Sequence, residues 1–171
     1  MIRIRRGDLC DAVVDAIMRP LDSEGRPVSP VGRRVELAAG PTLASRIDDL
    51  GELPVGGAVI TPAGELPAAF VIHVVDRSRE ESPSPLTLHR ALVNGLRRAS
   101  EWGVGALAVP PVGLGPGTME PEDAARVLLD ALREHLDTGV EPREVTIVVE
   151  SDFEEELYRR MLSAAALTDG M

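Results

Sequence analysis

Gly57–Val75 reads GAVITPAGELPAAFVIHVV, two runs rich in β-branched residues on either side of Pro62-Ala63-Gly64. Valine and isoleucine are stiff at χ1 and suit a pleated surface, whereas proline and glycine punctuate the chain. The stretch therefore reads as two strands joined by a turn around Gly64. Within the second run, Phe70–Val75 is apolar at consecutive rather than alternate positions, the pattern of a strand covered on both faces.

Working outward, apolar runs alternate with helical repeats. Toward the N-terminus, IRIR (Ile2–Arg5) and AVVDAIM (Ala12–Met18) read as strands, and RPLDSEGRPVSP (Arg19–Pro30) as a turn-rich connection. VGRRVELAAG (Val31–Gly40) reads as a helix closed by Gly40-Pro41, and PTLASRIDDLG (Pro41–Gly51) as a second, begun by proline and ended by glycine. Toward the C-terminus, Leu88, Leu92, Leu96 and Ala99 recur at helical spacing until Gly103. A strand at Ala106–Pro110, a glycine-rich loop, a helix at Pro121–Leu136, a strand at Glu144–Glu150 and a helix at Asp152–Leu162 follow. Such alternation implies helices on both sides of a sheet. The expected fold is a three-layer α/β/α sandwich with a mixed, mostly parallel sheet, forming one domain over residues 1–165 with residues 166–171 as a frayed tail.

Composition narrows the function classes. A chain of 171 residues with 44% hydrophobic content suits one domain with a real core. Its longest apolar runs fall short of the roughly 18–20 residues that cross a bilayer, so no membrane association is expected. The net charge of −10 argues against general nucleic-acid binding, which depends on neutralising many phosphates. All eighteen basic residues are arginine, which removes Schiff-base and P-loop lysine chemistry. The single cysteine, Cys10, cannot pair within the chain, and a reducing cytoplasm is the expected location. No Cys/His cluster has metal-ligand spacing, and no metal or cofactor is expected. The acidic run ESDFEEE (Glu150–Glu156) reads as a helix start favoured by the helix dipole.

The glycine loop VGLGPGT (Val112–Thr118) follows a parallel strand and precedes a helix. That places it at the carboxyl edge of the sheet, where open α/β sheets bind ligands. Gly113, Gly115 and Gly117 allow backbone N–H groups to line a concavity, and the helix after them adds partial positive charge. The spacing GxGxG matches neither the dinucleotide fingerprint nor the Walker pattern. A tight turn without a ligand is the plain alternative.

Four segments together resemble the macrodomain family of ADP-ribose-binding modules, in the family's order across nearly the whole chain. They are RRGDLCDAVVDAIM (Arg5–Met18), ELAAGPTL (Glu36–Leu43), PVGGAVITPAGELPAAFVIHVVD (Pro54–Asp76) and ALAVPPVGLGPGTMEPEDAARVLLDAL (Ala106–Leu132). The third is the most specific. The resemblance implies that Asp8 accepts a hydrogen bond from the exocyclic amine of adenine, while the backbone N–H of Leu9 serves a ring nitrogen. A carboxylate there accepts from an amine and rejects a carbonyl. It also implies that Val112, Gly113, Leu114, Gly115, Pro116, Gly117 and Thr118 wrap a diphosphate and reach the distal ribose. Without the resemblance, Asp8 reads as an N-cap after a strand.

The sequence also departs from the family. The family's Asn-Ala-Ala-Asn falls on Arg19-Pro20-Leu21-Asp22, and its glycine run falls on SPVGRRVE (Ser29–Glu36), where Gly32 alone remains. Proline removes an amide donor and side chains block close backbone approach. Arg19, Arg33 and Arg34 are candidate guanidinium donors to a diphosphate in place of those amides, with exposed surface arginines as the plain reading. Asp22 is the candidate for a catalytic residue at the distal ribose. His73, His89 and His135 have no nucleophile at an interpretable spacing. The leading expectation is a binding module for ADP-ribose, a related adenine diphosphate or an ADP-ribosylated substrate. The alternatives are a hydrolase of ADP-ribosyl groups or O-acetyl-ADP-ribose, and a scaffold without nucleotide.

Overall fold

The computed structural model describes residues 1–115 and 117–170. In chain order, β1 is Ile2–Arg6, β2 Ala16–Asp22, α1 Pro30–Ala39, α2 Pro41–Asp49, β3 Ala58–Pro62 and β4 Phe70–Arg77. There follow α3 (Pro85–Glu101), β5 (Ala106–Val109), α4 (Pro121–Asp137), β6 (Glu144–Val149) and α5 (Asp152–Asp169). The sheet has six strands in the order β1-β6-β5-β2-β4-β3. Every neighbouring pair is parallel except β3 with β4, the two strands read from Gly57–Val75.

Two apolar layers sandwich the sheet. On one face α3, α4 and α5 cover Met18, Ile72, Val74, Leu107 and Ile147 with Leu88, Leu92, Leu128, Leu132 and Tyr158. On the other, α1 and α2 cover Ile17, Val71, Ala108 and Val148 with Val35, Ala39 and Leu43. Ser84 starts α3 with a reciprocal capping box to Thr87, satisfying two orphan donors of the first turn. At Gly64, φ is +61°, and an added Cβ would lie 2.2 Å from the Ala39 carbonyl oxygen. The turn between β3 and β4 can therefore press against the end of α1 only with glycine at that position.

One strand differs from the sequence reading. Ala12–Val14 lie outside the sheet, and the second strand instead runs through Arg19-Pro20-Leu21-Asp22, the stretch expected to be a turn. Pairing begins at Asp15, whose N–H donates to Ala106 O (3.0 Å) and whose carboxylate accepts from the N–H groups of Gly105 (3.0 Å) and Ala106 (2.9 Å). Proline is tolerated in this central strand because the β5 ladder ends at Ile17↔Ala108, before Pro20 is reached. The last helix is longer than the sequence reading drew it, continuing from Leu162 to Asp169.

Candidate functional site

The carboxyl edge of the sheet divides between β2 and β5. The chain leaving β2 turns to α1 on one face, and the chain leaving β5 turns through the glycine loop to α4 on the other. Connections diverging to opposite faces leave a crevice at such a switch point. A cavity of about 220 Å³ occupies it, with Ser29, Pro30 and Val31 on one wall, Pro111, Leu114 and Gly115 on the other, and Val148, Glu150 and Glu154 between. A second cavity of about 290 Å³, lined by Gly7, Asp8, Asp11, Val14, Thr146 and Val148, adjoins it. Val148 lines both.

Asp8 stands where β1 ends, and its carboxylate accepts from the Cys10 N–H at 3.0 Å, capping the short 3₁₀ turn Leu9–Asp11. The capping role and a place on the cavity wall therefore coexist, since the Asp8 side chain remains 41% exposed. Leu9 buries its side chain in the core beneath this turn. Burial, with Asp8 nearby as the second cause, pushes the Cys10 thiol up to about 11.

The glycine loop is anchored from below. Val112 is buried, and Gly113 has φ +74° with Met119, Leu88 and Ala124 so close that a Cβ would meet them at 2.9–3.2 Å. Thr118 donates its hydroxyl to the Gly115 carbonyl, and Gly117 is exposed. Leu114 and Gly115 face the cavity; Pro116 lies outside the described residues. On the opposite wall, Ser29 caps α1 by accepting from the Gly32 N–H at 3.1 Å, with Pro30 in the first turn. A capped helix start thus stands where the family places its glycine run, and its dipole points positive charge toward the crevice.

Arg19, a sequence candidate for phosphate contact, turns inward instead. It is fully buried, its Nε donating to His73 Nδ1 (2.9 Å) and its Nη1 to the Gly32 carbonyl (3.3 Å), with Glu36 at 3.4 Å. The alternation along β2 decides this, because Arg19 falls on the α1 face with Ile17 and Leu21. Burial lowers the Arg19 pKa and Glu36 opposes that shift. His73 is held well below its ordinary value by burial and then by the Arg19 charge. It therefore accepts at Nδ1 and donates from Nε2 to Thr61 Oγ1 (2.9 Å). Arg33 is exposed on α1 and lines neither cavity. Asp22 caps a tight turn, its Oδ1 accepting from the N–H groups of Glu24 (2.9 Å) and Arg26 (3.0 Å).

Sequence reasoning missed Arg77. At the end of β4 its guanidinium grips the buried Asp76 carboxylate through Nε (2.9 Å) and Nη2 (3.2 Å), while Nη2 also donates to the Leu114 carbonyl at 3.2 Å. Burial raises the Asp76 pKa and Arg77 opposes it. The pair ties the glycine loop to the end of β4. The available signal was a charged dipeptide directly after an apolar strand.

Residues 20–128 match the Macro domain family. The chain is 30% identical over 169 residues to an O-acetyl-ADP-ribose deacetylase of Escherichia fergusonii, covering 95% of each. It is 31% identical over 166 residues to the macro domain-containing protein TTE0995 of Caldanaerobacter subterraneus, covering 93% of this chain and 94% of that one. Among solved structures, the Oceanobacillus iheyensis macrodomain with ADP superposes with a TM-score of 0.86 at 20% identity, over 96% of this chain and 91% of the other. The Trypanosoma brucei macrodomain in complex with ADP gives 0.83 at 20% identity, over 94% and 68%. The chain belongs to the macro domain family, and its fold is the mostly parallel α/β/α sandwich of that family. No helix among the described residues is long and apolar enough to cross a membrane.

Proposed function

We propose that this protein binds ADP-ribose or a related adenine diphosphate, free or as the terminal group of an ADP-ribosylated substrate, in the reducing cytoplasm. The observation that carries the reading is the pair of cavities meeting on Val148, with Asp8 in one and the glycine loop facing the capped start of α1 in the other. Asp8 supplies an acceptor for the adenine amine, the backbone of Leu114, Gly115 and Gly117 supplies N–H groups for the diphosphate, and the α1 N-terminus adds partial positive charge. The loop is braced beforehand by Arg77, which lowers the ordering cost of binding. Calorimetric titration of ADP-ribose, ADP, AMP and NAD into the wild type and Asp8→Ala tests it. Adenine-bearing ligands should bind the wild type and lose roughly tenfold or more in affinity on Asp8→Ala, the cost of one charge-assisted hydrogen bond. No heat with any of the four ligands refutes the reading.

A second reading, hydrolysis of the acetyl ester of O-acetyl-ADP-ribose, is favoured by the names of relatives at 30% identity and above, including the deacetylase of Enterobacter sp. at 32% over 173 residues. Asp22 and the glycine loop are the residues nearest in sequence to such a role. Acetate release abolished by Asp22→Asn, with ADP-ribose affinity retained, would establish it above binding alone.

A further inference from the structure

Arg34 lines neither cavity but pairs with a carboxylate from the wall of each. Rising from α1, it forms an ion pair with Glu150, which lines the cavity beside the glycine loop, and lies 3.9 Å from Asp8 Oδ1, which lines the other. Its three-way position ties the ends of β1 and β6 to the first helix. Only Nη2 is engaged: Arg34 Nε is buried and has no acceptor among the described residues. A guanidinium whose Nε and Nη2 edge holds a single carboxylate oxygen is using half of a fork built for two.

We infer that Arg34 is an anion-binding residue between the two cavities, and that Glu150 is a latch occupying it until a ligand phosphate takes its place. The inference rests on the reading that an adenine diphosphate lies across both cavities. A ligand reaching from Asp8 to Leu114 passes Val148 and runs between Asp8 and Glu150, the two carboxylates that face Arg34. Phosphate offers two oxygens to Nε and Nη2 together, satisfying the orphaned donor that Glu150 leaves unmet. Exchange is cheap because both side chains are about two-fifths exposed, so the pair itself holds weakly and Glu150 returns to water when released. The latch has two consequences. It tunes affinity for phosphate-bearing ligands more than for adenosine, and it makes Glu150 a like-charge barrier against them while closed.

A double-mutant cycle tests it, with ADP-ribose and adenosine titrated into wild type, Glu150→Gln, Arg34→Met and the double variant. Thermal melts of each chain confirm that all four fold, as expected for an exposed pair. Glu150→Gln should tighten ADP-ribose about two- to fivefold and leave adenosine unchanged. Arg34→Met should weaken ADP-ribose tenfold or more and change adenosine, which meets Arg34 only through Asp8, by much less, and in that background Glu150→Gln should give less than half of its gain. The inference is overturned alone if ADP-ribose binds but Arg34→Met binds it as the wild type does, if Glu150→Gln weakens it, or if the Glu150→Gln gain is undiminished without Arg34. If none of the four chains binds either ligand, the reading of the cleft falls and the latch with it.

Discussion

Replacing Arg19 by methionine keeps most of the buried stem and removes the guanidinium. It strands one neutral acceptor, His73 Nδ1, that Arg19 meets at 2.9 Å; the Gly32 carbonyl, met at 3.3 Å, keeps its helical partner within α1. Each buried unsatisfied group costs about 1–3 kcal/mol. Glu36, 27% exposed, turns to water and is left out of the sum, while relief from burying a cation offsets part of the loss. The expected net cost is about 1–3 kcal/mol. His73→Leu strands the Arg19 Nε and the Thr61 hydroxyl instead and should cost a similar amount. The double variant removes the central donor and acceptor together, so its cost should fall short of the sum by about 1–3 kcal/mol. Urea unfolding followed by circular dichroism reads all four chains, with the midpoint reporting stability when the slope is unchanged. A cost for Arg19→Met below about 0.5 kcal/mol, or strict additivity in the cycle, would refute the view that this buried chain pins α1 to the sheet.

The same histidine sets a pH dependence. Native His73 stays neutral where the unfolded chain, with its ordinary value near 6.5, takes up a proton, so stability is lost as pH falls below that value. Between pH 8 and pH 5 the wild type should lose about 2 kcal/mol more than His73→Leu, and equal losses in urea melts would contradict the assignment. Gly113→Ala forces a side chain into the left-handed region at φ +74° and against Met119 and Leu88; about 1–3 kcal/mol of stability should go, and an unchanged midpoint would show that the loop yields freely. The Cys10 thiol, raised to about 11, carries roughly a hundredfold less thiolate at pH 8 than an ordinary one. Its greater intrinsic nucleophilicity recovers about tenfold, so a disulfide reagent should modify it about tenfold more slowly in the native than in the urea-unfolded chain.

Element type was largely written in the chain. The β-branched runs at Gly57–Val75, the helical spacing of Leu88 to Ala99, the glycine stops of α1 and α2 and the proline start of α2 are local signals, and each appears in the structure close to where the pattern put it. The glycine loop's place at the carboxyl edge followed from strand and helix order alone. Arg19-Pro20-Leu21-Asp22 was different. Its composition reads as a turn, and it became a strand because β4 offers partners from Phe70 to Arg77 while Glu36, Gly32 and His73 receive the guanidinium from other elements. No local pattern carries that information, since the compensating groups lie 13 to 54 positions away. The grip of Arg77 on Leu114 and the meeting of Arg34, Glu150 and Asp8 are likewise products of packing. Periodicity and turn chemistry determine which segments become strands and helices. Which charges those segments bury, and which they turn toward the cleft, is settled only when the sheet has closed, because a charge's cost depends on partners that the fold brings near it.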